Sequence, residues 1–327
     1  MVTEDAVQER ASAGSELVVI DATALLFRAY YGVPPRVSRR GVPVGAVLGM
    51  ASFVAQVLRR TRPRHVALVY DAGRTTFRTR IDPRYKANRG EPPEDLVPQF
   101  DLALRLGEAL GFACCSVPDY EADDLMATLV RLAGDAGAAA RLVSVDKDVC
   151  QLVRDGGPRV AIEDPKTGAA CDEAGVLKRI GVGPGQAVDA MALIGDTSDN
   201  IAGVRGVGPQ AAAALLANFA GLDEIYADLG RVAGLPLRGA RGLARKLAEG
   251  RDEAFLARKL VKLHDAVPLH EVVTLPGRAA RPRGAGDILE QTRWRGPGAE
   301  APALAAELSS EGLLRAFAAL STFVGGC

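Results

Sequence analysis

Histidine is nearly absent from the 327-residue sequence: His65, His264 and His270 are the whole set, and no two stand at H-x-x-x-H spacing. Zinc ligation of the usual kind therefore lacks its donors. The five cysteines, Cys114, Cys115, Cys150, Cys171 and Cys327, contain no C-x-x-C pair. An odd set so spaced argues against a disulfide framework and a zinc knuckle, and fits a reducing compartment. Any metal must be held by oxygen. Net charge is also missing: 40 basic residues balance 40 acidic ones, which excludes a uniformly basic nucleic-acid binder and leaves segregated patches open. No apolar run approaches the roughly 20 residues of a membrane span. Residues 1–16 carry Glu4, Asp5, Glu9 and Glu16 in place of a signal-peptide core. A soluble, cytoplasmic protein is expected, with an organelle address left open. No Walker A lysine motif occurs either.

Carboxylates are what the chain has, and their placement is patterned. Tyr120-Glu121-Ala122-Asp123-Asp124 enters an apolar run, Leu125 to Val130. An acidic first turn suits a helix N-terminus and explains one or two of these residues. Other acids follow strand-like apolar runs: Asp21 after Leu17–Ile20, Asp71 after Val66–Tyr70, and Asp146 and Asp148 after Leu142–Val145. A further pair is Asp196 and Asp199. If the runs are neighbouring parallel strands, their carboxyl ends gather the acids at one rim, where open α/β sheets place their sites. Carboxylates so crowded raise one another's pKa unless cations lie between them. The cluster predicts metal.

Along the chain, residues 1–16 read as a polar tail and 17–171 as an α/β core with strands at Leu17–Ile20, His65–Tyr70, Phe112–Val117 and Arg141–Val145, and an edge strand at Arg159–Ile162. Helical spacing runs over Val44–Arg60, Leu96–Leu110 and Glu121 to about Ala136. Strands alternating with helices point to a mostly parallel sheet flanked by helices. Residues 73–98 break the pattern: Arg74, Arg78, Arg80, Arg84, Lys86 and Arg89 are interleaved with Phe77, Tyr85, Pro83, Pro92 and Pro93. That reads as a long, basic, partly mobile insertion at the mouth of the site. From 172 to 275 the chain is expected to be helical. Residues 276–300 look like a flexible connection before a terminal helix at Leu304–Leu320.

Two stretches bear on nucleic acid. Asp196-Thr197-Ser198-Asp199-Asn200 leads into Gly203-Val204-Arg205-Gly206-Val207-Gly208 and then a helix from Gln210. Glycines at 203, 206 and 208 permit a tight turn whose amides face outward at a helix N-terminus, an arrangement that accepts phosphate without reading sequence. Gly206-x-Gly208-x-x-Ala211 also matches a dinucleotide fingerprint, rejected because a helix and not a strand precedes it. Around Tyr85-Lys86-Ala87-Asn88-Arg89, aromatics among cations suit base stacking with the backbone held by charge. Arg28, on the helix after Asp21, is placed to face the same rim.

Taken together, Asp21, the Phe77–Arg89 pattern ending Tyr-Lys-Ala-Asn-Arg, Glu-Ala-Asp-Asp at 121–124, Asp-Lys-Asp at 146–148, Gly-Asp-Thr-Ser-Asp-Asn at 195–200 and the glycine hairpin resemble the 5′-to-3′ exonuclease domain of bacterial DNA polymerase I. That domain belongs to the flap endonuclease superfamily, and the likeness runs unbroken from about Leu17 to Leu275. It implies a PIN-like or resolvase-like nuclease core with a helix-hairpin-helix DNA-binding region behind it. It also implies hydrolysis of phosphodiester bonds at 5′ flaps, nicks and free 5′ ends with two Mg²⁺ ions, Mn²⁺ able to substitute. Asp21, Asp71, Glu121, Asp123 and Asp124 would ring the first ion, and Asp146, Asp148, Asp196 and Asp199 the second. Lys86, Tyr85, Arg89 and Arg28 would be the catalytic cations and arch residues; Arg78, Gly203, Gly206, Gly208 and Gln210 would bind DNA. RNA–DNA hybrids fall within the expected substrates, a polymerase or ligase within the expected partners. A monomer near the nucleoid is expected, in a stand-alone form since no polymerase region follows.

The sequence departs from that pattern at Pro209-Gln210-Ala211, where relatives commonly carry a lysine and a threonine, so a phosphate contact is missing there. Past Pro276 the likeness fades. Three rivals remain: a PIN-type RNA nuclease, which needs neither arch nor hairpin; a haloacid dehalogenase-type phosphatase, disfavoured because Ala22 and Thr23 follow Asp21 with no second acid; and a catalytically silent DNA-binding module.

Overall fold

The computed structural model describes residues 15–269, 273–274 and 285–322. His270, Cys327, most of the polar tail, residue 275 and residues 276–284 of the expected connection lie outside them. Five strands run parallel: β1 (Glu16–Asp21), β2 (His65–Val69), β3 (Ala113–Cys115), β4 (Ala139–Val143) and β5 (Val160–Glu163). β6 (Ala170–Cys171) pairs antiparallel with β5. β7 (Gly195–Asp196) and β8 (Ile201–Ala202) form a separate ribbon, and β9 (Val273–Thr274) returns antiparallel to β3. The large sheet has the order β6-β5-β4-β1-β2-β3-β9. β1 lies between β2 and β4, where the winding reverses, and there the carboxyl ends of the strands open a crevice. Asp21 ends β1, level with Val69 of β2.

The sequence of β1 explains its central position. After Glu16 every residue is buried, as a strand covered on both faces requires. Val18 and Ile20 pack into one layer with α1 (Ala22–Gly32), α2 (Gly45–Thr61) and α4 (Val97–Ala109); α3 (Phe77–Ile81) is described below. Leu17 and Val19 pack into the other, against α5 (Ala122–Asp135). Each such side chain contributes about 1.5–3 kcal/mol by leaving water. Fixing β1 between these layers fixes where Asp21 emerges.

After α6 (Glu173–Ile180) the chain builds a third core from α7 (Ala187–Ile194), α8 (Pro209–Leu216), α9 (Leu222–Ala227), α10 (Leu229–Ala233), α11 (Ala240–Glu249) and α12 (Arg251–Val261). α11 shows why these become helices: Ala240, Ala244 and Leu247 are buried at helical spacing, while Arg241 and Arg245 stay exposed.

Several expectations need correction. β4 stops at Val143, so Ser144 and Val145 belong to the loop that carries the acids. β5 is interior, because β6, too short to show any alternation, pairs outside it. The expected flexible connection is packed structure from residue 285 onward. There α13 (Ala285–Thr292) leads to Trp294, whose ring stacks on Phe112 at 5.2 Å and whose Nε1 donates to the Leu110 carbonyl at 2.9 Å. The single terminal helix is two, α14 (Ala301–Glu307) and α15 (Glu311–Ser321), broken where Ser309 takes a left-handed φ of 52°. Gly, Pro and Arg content concealed this, since the segment is anchored by scattered buried residues, Trp294 and Phe317 foremost, that show no regular period. Trp294→Ala is expected to cost about 3–5 kcal/mol in urea denaturation. A loss under about 1 kcal/mol would show that the segment merely lies on the core.

Candidate metal centre and nucleic-acid interface

Each acid of the rim is set by a local backbone device. Asp21 caps α1, its Oδ1 accepting from the Ala24 amide at 2.9 Å. Asp71 lies just past β2: its N–H donates to Thr23 Oγ1 at 2.9 Å and its Oδ1 accepts from the Ala122 amide at 2.8 Å. That second bond ties the β2 end to the start of α5. Glu121 caps α5 in a capping box with Asp124, and Asp123 Oδ1 accepts from the Asp124 amide at 2.9 Å. After β4, Ser144 Oγ accepts from the Asp146 amide at 3.1 Å, and Asp146 Oδ1 accepts from the Asp148 amide at 2.9 Å. Asp196 ends β7, and Asp199 lies in the tight loop to β8; the Ser198 amide and hydroxyl both donate to Asp196 Oδ1, at 2.8 and 2.6 Å.

The geometry divides the acids into two groups. Oxygens of Glu121, Asp123 and Asp124 lie within 4.8 Å of one another, as do oxygens of Asp148, Asp196 and Asp199. Asp21, Asp71 and Asp146 stand beside them. Burial, then the charges of Asp71 and Asp146, push the Asp21 carboxyl up to about 7. Burial and the charges of Asp146, Asp199 and Asp196 push Asp148 to about 8. Asp123 is raised well above its ordinary value by burial and by Asp124. Asp196 goes the other way: burial is outweighed by its bonds from Ser198 and by Lys147, whose Nζ lies 3.1 Å away.

These residues fit divalent metal. The donor set is entirely oxygen, as Mg²⁺ prefers. Asp148 Oδ1 is buried with no hydrogen-bond partner, a state that costs free energy unless a cation or proton completes it. One member of the expected set is already engaged elsewhere. Asp124 is fully buried, and its oxygens already accept four bonds: Oδ1 from Arg78 Nη2 at 2.7 Å and the His264 amide at 2.8 Å, Oδ2 from Arg78 Nη1 at 2.7 Å and the Glu121 amide at 3.1 Å. All four lone-pair sites of that carboxylate are taken.

The basic insertion also differs from expectation. Residues 77–89 fold onto the acids through α3 and a following turn. Tyr85 is buried among the helical core residues, its hydroxyl donating to Glu121 Oε2 at 2.7 Å and to Asp199 Oδ2 at 3.2 Å. Lys86 Nζ donates to Glu121 Oε1 at 2.7 Å and lies 3.6 Å from Asp199 Oδ2, while Arg89 pairs with Asp199 Oδ1. The Lys86 amide and the Asn88 side chain bond the carbonyls of Asp199 and Thr197. A polar sequence without periodicity reads as loose; here unlike charges hold it down. Arg78, expected on DNA, is buried instead and bonded to Asp124. Arg28 lies over the Phe53 ring at 5.8 Å; among the described residues no ion pair joins it to the rim acids.

The glycine hairpin is built by close approach. A Cβ on Gly203 would stand 2.3 Å from the Gly195 nitrogen, and Gly206 has a φ of +77° with its carbonyl accepting from Lys246 Nζ at 3.1 Å. Gly208 caps α8, with Gln210 exposed in its first turn.

The N-terminal resolvase-like domain model of the 5′-3′ exonuclease family matches residues 16–181, and the C-terminal SAM fold model of the same family matches residues 182–280. The chain belongs to the 5′-3′ exonuclease family. Curated relatives include DNA polymerase I of Pseudomonas aeruginosa, 39% identical over 254 residues, 77% of this chain and 28% of the relative. DNA polymerase I of Chloroflexus aurantiacus is 38% identical over 260 residues, 77% of this chain and 27% of the relative. The chain thus spans under a third of these relatives' length. Among solved structures, a T5 5′-exonuclease with bound zinc ions aligns with a TM-score of 0.65 at 23% identity, covering 85% of this chain and 99% of that one. The catalytic core of Rad2 in complex with DNA aligns at 0.52 and 17%, covering 90% and 91%. At these identities the likeness concerns the fold.

Sequence reasoning missed several residues of this family member's site. Thr23 and Ser144 position Asp71 and Asp146, yet a lone hydroxyl near a strand end carries no signal. Lys147, bonded to Asp196, stands between two acids in Asp-Lys-Asp and was there to be noticed. Arg205 is exposed inside the hairpin, as its place between glycines suggests.

Two outcomes are expected. A carboxyl whose folded pKa exceeds the ordinary 3.8 holds its proton more tightly in the folded chain. Without divalent ions, stability is therefore greatest while Asp21 and Asp148 are protonated and falls as pH rises toward 7–8. Ions that bind only the folded state compete with those protons, so the Tm gain from Mg²⁺ over chelator is expected to be larger at pH 8 than at pH 5.5; equal gains would separate the acids from the ion. For the hairpin, Gly203→Ala is expected to cost at least about 2 kcal/mol by backbone collision, whereas Gly208→Ala, with nothing within 4 Å, costs under about 1 kcal/mol. Equal urea midpoints would contradict that close approach.

Proposed function

We propose that the chain is a structure-selective 5′-to-3′ exonuclease and 5′-flap endonuclease that hydrolyses phosphodiester bonds in DNA with two divalent ions. One observation carries the reading: acids from five separated stretches of sequence meet at one sheet rim, flanked by cations of residues 77–89 and by the glycine hairpin. Asp21, Asp71, Glu121 and Asp123 would hold one ion; Asp146, Asp148, Asp196 and Asp199 would hold the other. Bound there, such ions would lower the pKa of an attacking water and steady the departing oxygen, chemistry that calls for no histidine or cysteine.

The protein's own groups do the rest. Tyr85, Lys86 and Arg89 orient Glu121 and Asp199 and offset part of the rim's negative charge, so that a polyanion can approach it. The hairpin amides and exposed Arg205 would hold the duplex backbone without reading bases. Selection would then rest on shape, a 5′ end, nick or flap presented beside a held duplex. RNA–DNA hybrids, a polymerase or ligase partner, a monomeric state and work at the nucleoid belong to the same proposal. No helix among the described residues is long and apolar enough to cross a membrane.

The test is cleavage of a 5′-flap duplex with Mg²⁺ and with chelator, beside a single-stranded RNA and a simple phosphate ester. Chelator-sensitive flap cleavage is expected; hydrolysis of RNA or of the ester alone would overturn the proposal. Asp123→Ala and Asp146→Ala are expected to lower flap cleavage by more than about 100-fold, since even outer partners of metal ligands are worth 10–100-fold. Duplex affinity of these variants, measured without divalent ions, should stay within about threefold. Equal loss of binding and cleavage in a folded variant would count against separate surfaces.

A further inference from the structure

Arg78 spends every donor it has. Its Nε donates to the Leu260 carbonyl at 2.7 Å, Nη1 to Asp124 Oδ2 at 2.7 Å and Glu121 Oε2 at 3.2 Å, and Nη2 to Asp124 Oδ1 at 2.7 Å and the Lys262 carbonyl at 3.3 Å. Five N–H groups meet five acceptors, and the side chain is 1% exposed. The acceptors belong to two distant parts of the chain: the start of α5, which carries Glu121 and Asp123, and the end of α12 in the helical region. Arg78 itself stands on α3, eight residues before Lys86. Neighbouring bonds tie the same helical region to α5, the His264 amide to Asp124 at 2.8 Å and the Val267 amide to Thr128 Oγ1 at 3.1 Å, and to the turn after β4, where Gln151 bonds both the Val261 carbonyl and the Leu263 amide at 3.0 Å.

We propose that Arg78 is a positioning residue, a buried clamp on Asp124 that sets the orientation of Glu121 and Asp123 relative to both the 77–89 segment and the helical region. Asp124 is then the anchor of the clamp and not a metal ligand. The inference rests on the nuclease reading of the rim and adds to it a residue that meets neither substrate nor ion. Planarity is what the position needs. A bidentate guanidinium fixes a carboxylate in rotation as well as in distance, which a lysine ammonium cannot do. Glu121 shares Nη1 with Asp124, so a shift of the guanidinium moves a rim acid directly.

The experiment compares Arg78→Lys, Arg78→Gln, Asp124→Asn and the double variant Arg78→Gln/Asp124→Asn with Asp123→Asn and the unaltered chain. Mn²⁺ binding is followed by calorimetry, flap cleavage is resolved into kcat and KM, and near-UV circular dichroism checks the fold. Clamp variants are expected to keep two ions per chain with affinity weakened about 10–100-fold, as loss of an outer partner does elsewhere. Their kcat should fall by a similar factor while KM for DNA changes little. Asp123→Asn should lose one ion outright. The double variant, which leaves no unpaired buried charge, should be no worse than either single one. If a single variant fails to fold, Arg78→Lys and the double variant carry the test. An ion lost from Asp124→Asn as from Asp123→Asn would overturn the proposal, as would unchanged affinity and kcat in folded Arg78→Lys and Arg78→Gln. Failure of the unaltered chain to bind any divalent ion would instead refute the nuclease reading itself.

Discussion

Buried carboxylates repel, and this chain has packed several of them into one rim. The cost is visible in Asp21 and Asp148, both displaced by several pH units from the ordinary aspartate value of 3.8, and in a buried Asp148 oxygen with nothing to bond. A fold tolerates such crowding only where cations relieve it. Some are supplied by the chain: Lys147 to Asp196, Arg89 to Asp199, Lys86 to Glu121, Arg78 to Asp124. What they leave uncompensated is the electrostatic demand for divalent ions.

That demand organises the architecture around it. β1 is central and covered on both faces, which places Asp21 at the switch point of the sheet. The Asp71 carboxylate caps α5 from outside by accepting from Ala122, so two strand ends and a helix start cannot move independently. Residues 77–89 contribute an aromatic hydroxyl and several cations to the acids, and Tyr85 buries its ring in the helical core. The α/β core and the helical region are therefore joined through the site itself, with the hairpin that would hold the duplex starting directly after β8 and the acid-bearing loop.

Much of this was legible in the sequence because the chemistry repeats a simple grammar. An apolar run followed by an acid recurs at Asp21, Asp71 and Asp146, and parallel pairing of strands buried on both faces converts that recurrence into proximity. Gly203 and Gly206 announced a tight turn for the same kind of reason: close approach and a positive φ admit little else. Illegible parts share a different cause. Arg78 and Arg84 look alike in a basic stretch, but one is buried with five partners and the other exposed beside Asp82; only tertiary structure separates them. Asp123 and Asp124 are equally ambiguous, since helical rotation by one residue turns one toward the rim and the other toward Arg78. Trp294 hid in a Gly/Pro-rich segment because a single stacking contact with Phe112 has no periodicity to reveal it.

The most direct test of the account is an anomalous diffraction map from crystals of the unaltered chain equilibrated with Mn²⁺. It should show two peaks on the order of 4 Å apart at the sheet rim, one against Glu121 and Asp123 and the other against Asp148 and Asp199, with Asp124 still turned to Arg78. A rim without anomalous signal, its acids neutralised by protons and side chains alone while Mn²⁺ binds elsewhere, would contradict it.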